Sequence, residues 1–320
     1  MLKARNLHKE YLIKKGFLLN KSTEVKKAVN DISLDIEKGQ IVGLLGVNGA
    51  GKTTTIKMLT TMISPTSGSI NIDSIDAVKD YMEAKKKINL ITGGERNIYW
   101  RLTAKENLEY FGSLYGINKK ELSNRIDKVL EIVDLDQQKD IPVEKYSKGM
   151  KQRLQIARGL INNPEYLFMD EPTLGLDIMI SRSLHNYIKK LAKEENKGIL
   201  ITTHYIFEAE ELCDYIYVID NGKIVTAGTP SDIKKMYTSK NTCSIKVDKL
   251  DAVRNVVEVL QGDNNIVELD DENSCVLIKT NHLDLKTIIS ILGNNNIKII
   301  DIEIFDSSLE DALFEILGGK

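Results

Sequence analysis

The sequence lacks long apolar runs and a secretory leader. No stretch approaches the roughly eighteen apolar residues that a membrane-spanning helix requires. The N-terminal residues 1–6 do not include the apolar segment that forms the core of a signal peptide. We therefore predict that the chain has no transmembrane segment and no signal peptide of its own.

Cysteine is scarce, and neither sign of charge is in excess. Cys213, Cys243 and Cys275 lack the spacing of metal ligands, and we expect them to be reduced thiols of a cytosolic protein. The formal net charge is −2, so the chain lacks the basic field that nucleic-acid binding requires. A chain of 320 residues has room for about two domains.

What the sequence does contain is a glycine-rich stretch at residues 46–53, Gly-Val-Asn-Gly-Ala-Gly-Lys-Thr. It matches G-x-x-x-x-G-K-[ST], the pattern of a phosphate-binding loop. The apolar run 41–45 before it fits a buried strand, and residues 52–62 after it have apolar side chains at helical spacing. This context favours a phosphate site over the alternative, a glycine-rich turn with a surface lysine.

Each residue type in this loop has a chemical reason. Backbone N–H groups converge on a triphosphate only where glycine leaves no Cβ in the way. The first turn of the next helix adds N–H groups and the positive end of its dipole. Lys52 supplies a cation for the β- and γ-phosphates, and Thr53 offers a hydroxyl to Mg²⁺. We therefore predict a site for a triphosphate with Mg²⁺.

Two apolar runs end in polar residues that are suited to catalysis. Residues 166–169 are followed by Asp170 and Glu171, and residues 198–203 are followed by His204. Ligands of parallel sheets bind beyond these carboxyl ends of strands. We expect Asp170 to hold Mg²⁺, Glu171 to polarise an attacking water, and His204 to donate a hydrogen bond to the γ-phosphate. The alternatives are carboxylates that cap a strand end and a structural or solvated histidine.

A second anion site is indicated at the start of another helix. The segment 146–153 leads into residues with helical apolar spacing, and its Ser147 is a good N-cap residue. One interpretation is that Ser147 only caps the helix. The other is that this N-terminus faces a second phosphate, because the start of a helix attracts anions.

The order of predicted elements indicates two domains. Alternating strands and helices over residues 1–230 predict an α/β domain with a mainly parallel sheet, and an inserted helical subdomain is expected at about residues 95–160. Residues 231–241 are polar and lysine-rich and are predicted to be a linker. Residues 242–320 have the order β-α-β-β-α-β, typical of a small α+β ferredoxin-like domain, followed by a last helix.

The motifs above occur in an order that resembles one family, the nucleotide-binding subunits of ABC transporters. Residues 46–53 match the family's first nucleotide motif, residues 167–172 match the second with its catalytic glutamate, and His204 matches the switch histidine. Residues 146–150 are similar to the signature Leu-Ser-Gly-Gly-Gln, and residues 175–177 resemble the loop that crosses the dimer. The resemblance covers the predicted α/β domain.

The resemblance implies a P-loop NTPase that hydrolyses ATP within a head-to-tail dimer. Each of two ATP molecules would be held by the phosphate loop of one subunit and by Ser147 and Gly149 of the other. Tyr11 lies where the family stacks an aromatic ring on adenine; the alternative is a core or surface tyrosine. The residues implied for ATP are Tyr11, Gly46, Val47, Asn48, Gly49, Ala50, Gly51, Lys52, Thr53, Thr54, Ser147, Gly149 and Asp177. Those implied for catalysis are Glu171, His204 and Lys52, and those for Mg²⁺ are Thr53, Asp170 and, weakly, Glu95.

Two departures from the family pattern matter. The signature carries Lys148 in place of a glycine and Met150 in place of a glutamine, while its serine and second glycine remain. The glutamine that usually touches Mg²⁺ falls on Gly94, which is followed by Glu95. Either Glu95 substitutes for that glutamine, or metal coordination there relies on water.

The resemblance also implies partners. A membrane permease is expected to bind residues 94–115, where Tyr99, Trp100 and Arg101 would meet a coupling helix. The other partner is a second nucleotide-binding subunit, either identical or paralogous, and no nucleic acid is expected. The chain would lie peripherally on the cytoplasmic face of the cell membrane, held there by the permease.

Residues 148–153 and 308–313 resemble a particular branch of the family, the exporters of drugs, antibiotics and peptides whose permease is a separate chain. The predicted function is therefore the ATP-hydrolysing motor of an ABC exporter. The alternatives are the motor of an importer and a soluble ABC ATPase that acts on ribosomes or DNA. The C-terminal segment argues against an importer, and a single nucleotide domain without long coiled coils argues against the soluble ATPases.

Overall fold

The chain divides into two compact units, Met1–Pro230 and Ser231–Lys320, each with its own apolar core. This computed structural model describes residues 1–15, 22–92, 98–237, 241–261, 266–270, 274–280, 285–305 and 308–318. Within these ranges, no helix is both long enough and apolar enough to span a bilayer.

The first unit contains two sheets. Its strands are β1 Leu2–Lys15, β2 Ser22–Ile36, β3 Ile41–Leu45, β4 Ser67–Ile72, β5 Ile75–Asp76, β6 Ile88–Thr92, β7 Tyr166–Asp170, β8 Gly198–Thr202, β9 Tyr215–Asp220 and β10 Lys223–Gly228. The larger sheet has the order β10-β9-β3-β8-β7-β6 and is parallel from β9 to β6, with β10 antiparallel at one edge. The smaller sheet has the order β2-β1-β4-β5 and is antiparallel.

The parallel strands are mainly apolar because both faces of the larger sheet are covered, and polar residues such as Asp170 and Thr202 lie at their ends. Strands β3 and β8 are buried along their whole length, as expected for strands in such a sheet. One apolar cluster joins both sheets to the helix that follows β3, and it includes Leu34, Leu44, Ile56 and Phe168. Burial of each such side chain stabilises the fold by about 1.5–3 kcal/mol. The phosphate loop is therefore anchored at both of its ends.

Four of the seven helices of the first unit named below, the third to the sixth, begin at a residue whose side chain caps them. The seven are α1 Lys52–Leu59, α2 Tyr81–Lys87, α3 Ala104–Leu114, α4 Lys119–Ile132, α5 Lys148–Leu160, α6 Ile178–Lys193 and α7 Ile206–Leu212. Thr103 and Glu106 form a capping box at α3, and Asn118 caps α4. Helices α3, α4 and α5 pack against one another in the region that was predicted as the helical subdomain.

The second unit has the predicted ferredoxin-like order. Its elements are α8 Pro230–Tyr237, β11 Asn241–Val247, α9 Leu250–Arg254, α10 Val257–Gln261, β12 Ile266–Asp270, β13 Cys275–Thr280, α11 Leu285–Asn294, β14 Ile299–Phe305 and α12 Leu309–Ile316. The sheet order is β12-β13-β11-β14, and all neighbouring strands are antiparallel. The first crossover is split into α9 and α10, whereas the sequence predicted one helix. The fold class that we predicted is confirmed.

The segment predicted as a linker, residues 231–241, differs from that prediction. Most of it is helix α8, in which Ile233 is fully buried, and strand β11 already begins at Asn241. Pro230 is the first residue of α8, where its fixed φ favours the helix. The predicted domain limits, 1–230 and 242–320, remain a prediction.

Candidate active site

The phosphate loop runs from the end of β3 into α1, and its backbone accepts only glycine at two points. Gly46 has φ +155°, and a Cβ on it would lie 2.2 Å from the carbonyl oxygen of Ile219. Gly51 has φ +112°, and a Cβ there would lie 2.6 Å from the carbonyl oxygen of Ala28. These close approaches explain in physical terms why the motif needs glycine at both positions.

Lys52 folds back over the loop. Its side chain is 7% exposed, and Nζ donates hydrogen bonds to the carbonyl oxygens of Gly46, at 2.7 Å, and Val47, at 3.1 Å. Burial lowers the pKa of Lys52, and the negative charges of Glu171 and Asp170 oppose that shift. The cation therefore lies within the electrostatic reach of both predicted catalytic carboxylates.

Asp170 and Glu171 are fixed by the neighbouring strand. Asp170 at the end of β7 pairs in register with Thr202 at the end of β8, and the Thr202 hydroxyl donates a hydrogen bond to Asp170 Oδ1. The backbone N–H of Glu171 donates to the carbonyl oxygen of Thr202 at 3.0 Å. Glu171 has φ +51°, an uncommon value for a residue other than glycine. This backbone turn is stabilised by Thr202.

Glu171 and His204, the two predicted catalytic residues other than Lys52, lie next to each other at the same edge of the sheet. Glu171 Oε1 lies 3.3 Å from His204 Nδ1, and both side chains are partly exposed. The His204 ring packs on the ring of Tyr205, with centroids 4.1 Å apart. A carboxylate and an imidazole so placed can orient one water molecule between them and an incoming phosphate.

An open cavity of about 910 Å³ lies in front of the phosphate loop. A volume of this order suits a ligand the size of a nucleotide. The predicted site residues that line it are Tyr11, Asn48, Gly49, Gly51, Lys52, Thr53, Thr54 and Glu171. Tyr11 is 38% exposed on β1, so its ring is available to a base. Val47 and Ala50 belong to the loop without lining the cavity.

Some residues of the site were not predicted from the sequence. Lys26, Lys27, Ala28 and the turn Asn221–Gly222 also line the cavity. The pair Asn221–Gly222 was predicted only as the hairpin turn between β9 and β10. In the structure the N–H of Gly222 donates to the carbonyl oxygen of Ala50 at 2.8 Å. The signal that could have identified Thr202 is a run of polar residues that ends a buried strand.

Ser147, Gly149 and Asp177 form a separate group at the starts of α5 and α6. Ser147 accepts a hydrogen bond from the N–H of Met150 at 3.2 Å, so it caps α5. Asp177 caps α6 in the same way, through the N–H of Ile180. Gly149 is buried against Ile180, and a Cβ would lie 2.4 Å from its Cδ1 atom. None of the three residues lines the cavity, and Gly94 and Glu95 lie outside the described residues.

The chain is similar in sequence to a known protein family and to individual ATP-binding proteins. Residues 29–174 match the family described as ABC transporter. The ABC transporter ATP-binding protein NatA of Bacillus subtilis (strain 168) is 41% identical over 227 residues, which are 71% of this chain and 92% of NatA. The bacitracin transport ATP-binding protein BcrA of Bacillus licheniformis is 36% identical over 302 residues, which are 94% of this chain and 96% of BcrA. The linearmycin resistance ATP-binding protein LnrL of Bacillus subtilis (strain 168) is 32% identical over 326 residues, covering 99% and 98% of the two chains.

Solved structures of ATP-binding cassettes have the same fold. One is a dimeric cassette in a post-hydrolysis state with ADP and phosphate, with a TM-score of 0.62 and 27% identity over 72% of this chain and 98% of that one. This chain belongs to the ABC transporter family. It is an ATP-binding subunit with ATPase activity, so the predicted ligand, ATP, and the predicted reaction are confirmed.

Proposed function

We propose that this chain is the ATP-hydrolysing motor of an ABC exporter and acts on a separate membrane permease from the cytoplasmic face of the cell membrane. The observation that carries the proposal is the convergence of three elements. The phosphate loop with Lys52, the carboxylate Glu171 and the imidazole of His204 meet at the carboxyl ends of parallel strands. This is the edge of an open α/β sheet where ligands bind.

Within this proposal the loop residues hold the phosphates of ATP and Tyr11 holds its base. Backbone N–H groups of residues 46–54 donate hydrogen bonds to the phosphate oxygens. The Lys52 ammonium group leaves the carbonyl oxygens of the loop and contacts the β- and γ-phosphates instead. Glu171 accepts a proton from the attacking water, and His204 holds that water and the γ-phosphate in place. General-base assistance of this kind contributes about 10²–10⁴ in rate.

Mg²⁺ is the proposed cofactor beside ATP. Thr53 offers a hydroxyl that lines the cavity, and Asp170 offers a carboxylate at the adjoining strand end. These hard oxygen ligands fit Mg²⁺, which needs few protein ligands because it keeps water and phosphate oxygens around it. The metal, when bound, would neutralise phosphate charge. Glu95 remains a weaker third ligand of the same proposal.

A second nucleotide-binding subunit is the proposed partner at the ATP site. Ser147, Gly149 and Asp177 lie outside the cavity of their own chain, which leaves them for the ATP of a facing subunit. Ile178 and Met179, which follow Asp177 directly, are 73% and 74% exposed, so apolar side chains next to this group are available to a facing subunit. A dimeric neighbour among solved cassettes supports this arrangement.

Export is supported by the relatives that match over the whole chain. Both units of this chain are covered by BcrA, named for bacitracin transport, and by LnrL, named for linearmycin resistance. Proteins named for Nod factor export match over 226 and 242 residues, which are 71% and 76% of this chain. The transported substrate is recognised by the permease, so we propose the class of exporter and not its cargo.

The Glu171→Gln variant tests the proposed motor. It should bind ATP normally, lose about 10²–10⁴ in hydrolysis rate, and persist as an ATP-bound dimer in size-exclusion chromatography. Phosphate release and retention of labelled ATP are the measurements. Glu131→Gln, on an exposed position of α4, is the matched control and should behave as wild type. Near-normal phosphate release from Glu171→Gln would refute the assigned role of Glu171.

A further inference from the structure

Helix α5 carries two cations whose side chains lie over aromatic rings. Lys151 Nζ is 4.2 Å from the ring centroid of Trp100, and Arg158 Cζ is 5.1 Å from that of Phe111. The two cations are seven residues apart, which is two helical turns, so they project from the same side of α5. Lys151 is only 9% exposed. Its ammonium group is therefore held at the ring and away from bulk water.

The rings of Tyr99, Tyr110 and Phe111 contact one another, and we name these three residues, together with Trp100 next to Tyr99 in the chain, the aromatic cluster. Tyr99 lies 5.0 Å from Tyr110 and 6.0 Å from Phe111, measured between centroids. Tyr99, Trp100 and Tyr110 are 44–48% exposed. The cluster therefore has one side on α5 and another side open to a partner.

The backbone beneath the aromatic cluster is held firmly. Asn107 is 1% exposed, accepts a hydrogen bond from the N–H of Tyr99 at 2.8 Å, and donates one to the Tyr99 carbonyl oxygen at 2.9 Å. The N–H of Glu144 donates to the carbonyl oxygen of Trp100 at 2.8 Å. With its main chain fixed at these points, the Trp100 ring can respond to α5 through its side-chain contact with Lys151.

Lys151 also lies one turn after Ser147, at the N-terminus of α5, which is the end that we assign to ATP. Its N–H donates to the carbonyl oxygen of Ser147 at 3.0 Å, the first such bond of the helix. Binding of a phosphate at Ser147 and Gly149 would shift the first turn of α5 toward that phosphate. Lys151 would move with it, because one helical turn is rigid on this scale. The contact between the Lys151 ammonium group and the Trp100 ring would link the two movements, since a cation over an aromatic face is attracted to it.

We propose that Lys151 is a positioning residue that transmits the ATP state of the α5 N-terminus to Trp100 in the aromatic cluster. This inference rests on the proposed function, since it assumes that Ser147 and Gly149 meet ATP in the closed dimer. It adds a specific contact through which nucleotide binding would reorganise the surface offered to the permease. Lys151 acts through its charge, so arginine should replace it and a neutral side chain of similar length should not.

The chain contains one tryptophan, Trp100, so its intrinsic emission reports this contact directly. MgATP is titrated into the full chain carrying Glu171→Gln, which keeps the nucleotide unhydrolysed. We expect a saturable change in Trp100 emission. Adding Lys151→Met should abolish most of that change while the half-saturating concentration of labelled ATP and the ATP-bound dimer stay as in the parent. Lys151→Arg should retain the change.

The control is Lys105→Met, which removes an exposed lysine from the first turn of α3 and should leave the emission change intact. Lys151→Gln serves as a second neutral variant if circular dichroism shows that Lys151→Met does not fold. The inference is overturned if the neutral variants respond as the parent does, or if the parent binds labelled ATP without any change in emission. Failure to bind labelled ATP at all would overturn the proposed function itself.

Discussion

Thr202 supports both carboxylates of the site. It is fully buried, its hydroxyl donates to Asp170, and its carbonyl oxygen accepts the N–H of Glu171. The motif made Asp170 and Glu171 predictable, because a carboxylate pair after a buried strand has few other uses beside a phosphate loop. The polar run at the end of β8 marks the position of Thr202 at a strand end, but its hydrogen bonds to the carboxylate segment were not predictable, because they depend on the register of β8 against β7, which lie far apart in sequence.

Replacing Thr202 with valine, which is nearly isosteric, should slow hydrolysis without unfolding the chain. The change removes a hydrogen bond to a carboxylate, worth about 1.5–3 kcal/mol, and this corresponds to about 10- to 100-fold in rate if the bond is needed in the transition state. Phosphate release at saturating MgATP is the measurement.

The matched control is Thr60→Val at the end of α1. Thr60 is also buried, but its hydroxyl donates to the carbonyl oxygen of Ile56 in its own helix. This variant should hydrolyse ATP at the wild-type rate. Equal rates for Thr202→Val and wild type would show that the hydroxyl does not position the carboxylates.

At the scale of elements, α6 and α7 are held together by a buried histidine. His185 on α6 lies 3.1 Å from Glu208 and 3.2 Å from Glu211, both on α7. Asp177 caps the start of α6, and α7 begins two residues after His204. The contact therefore fixes the spacing of two loops that we assign to the site.

The His185 contact should make stability depend on pH. Burial opposes protonation of His185, but hydrogen bonds and charge from Glu208 and Glu211 outweigh it and raise the pKa of His185. A raised pKa in the folded state means that the stabilisation is complete below the ordinary histidine pKa of about 6.5. It is lost as the pH rises through the higher pKa of the folded state.

His185→Gln should thus lower the free energy of unfolding most at acidic pH, by about 3–5 kcal/mol, and progressively less above it. Urea unfolding at a series of pH values measures both proteins. Lys189→Gln removes the exposed partner of Glu211 and should cost about 0–1 kcal/mol. That cost should not follow the pH profile expected for His185→Gln. A pH-independent gap for His185→Gln would contradict the protonated contact.

Elements with strong local signals were predicted, and those that depend on distant partners were not. The phosphate loop, the buried strands and the α/β order follow from periodicity and glycine spacing, so they needed no tertiary information. Helix α8 was not predicted because its composition is typical of a linker. The burial of Ile233 depends on tertiary contacts, which the sequence does not show. The contact between His185 and Glu208 joins α6 to α7, and the sequence of neither helix indicates that the other is its partner.

At the scale of the whole molecule, all the residues that we assign to ATP and to the permease lie in one of the two units. The cavity, the carboxylates, Ser147 and the aromatic cluster all lie in Met1–Pro230. The second unit, Ser231–Lys320, has a compact core of its own around Ile245, Ile278 and Leu292. We assign no ATP-binding residue to the second unit. The first unit should therefore keep both ATP binding and the surface for the permease when it is produced alone.

Co-purification from detergent-solubilised native membranes tests this division. The tagged full chain and a tagged chain that ends at residue 230 should both bind labelled ATP, and both should recover the same multi-spanning protein at near-equal stoichiometry. Replacing Tyr99 and Trp100 with serine in either chain is the control, and it should release the membrane protein while leaving ATP binding intact. The reason is that exposed aromatic side chains at an interface contribute much of the binding energy.

Recovery of ribosomes or DNA with no membrane protein would favour a soluble ABC ATPase. Loss of ATP binding from the folded shorter chain would instead show that the second unit completes the ATP site.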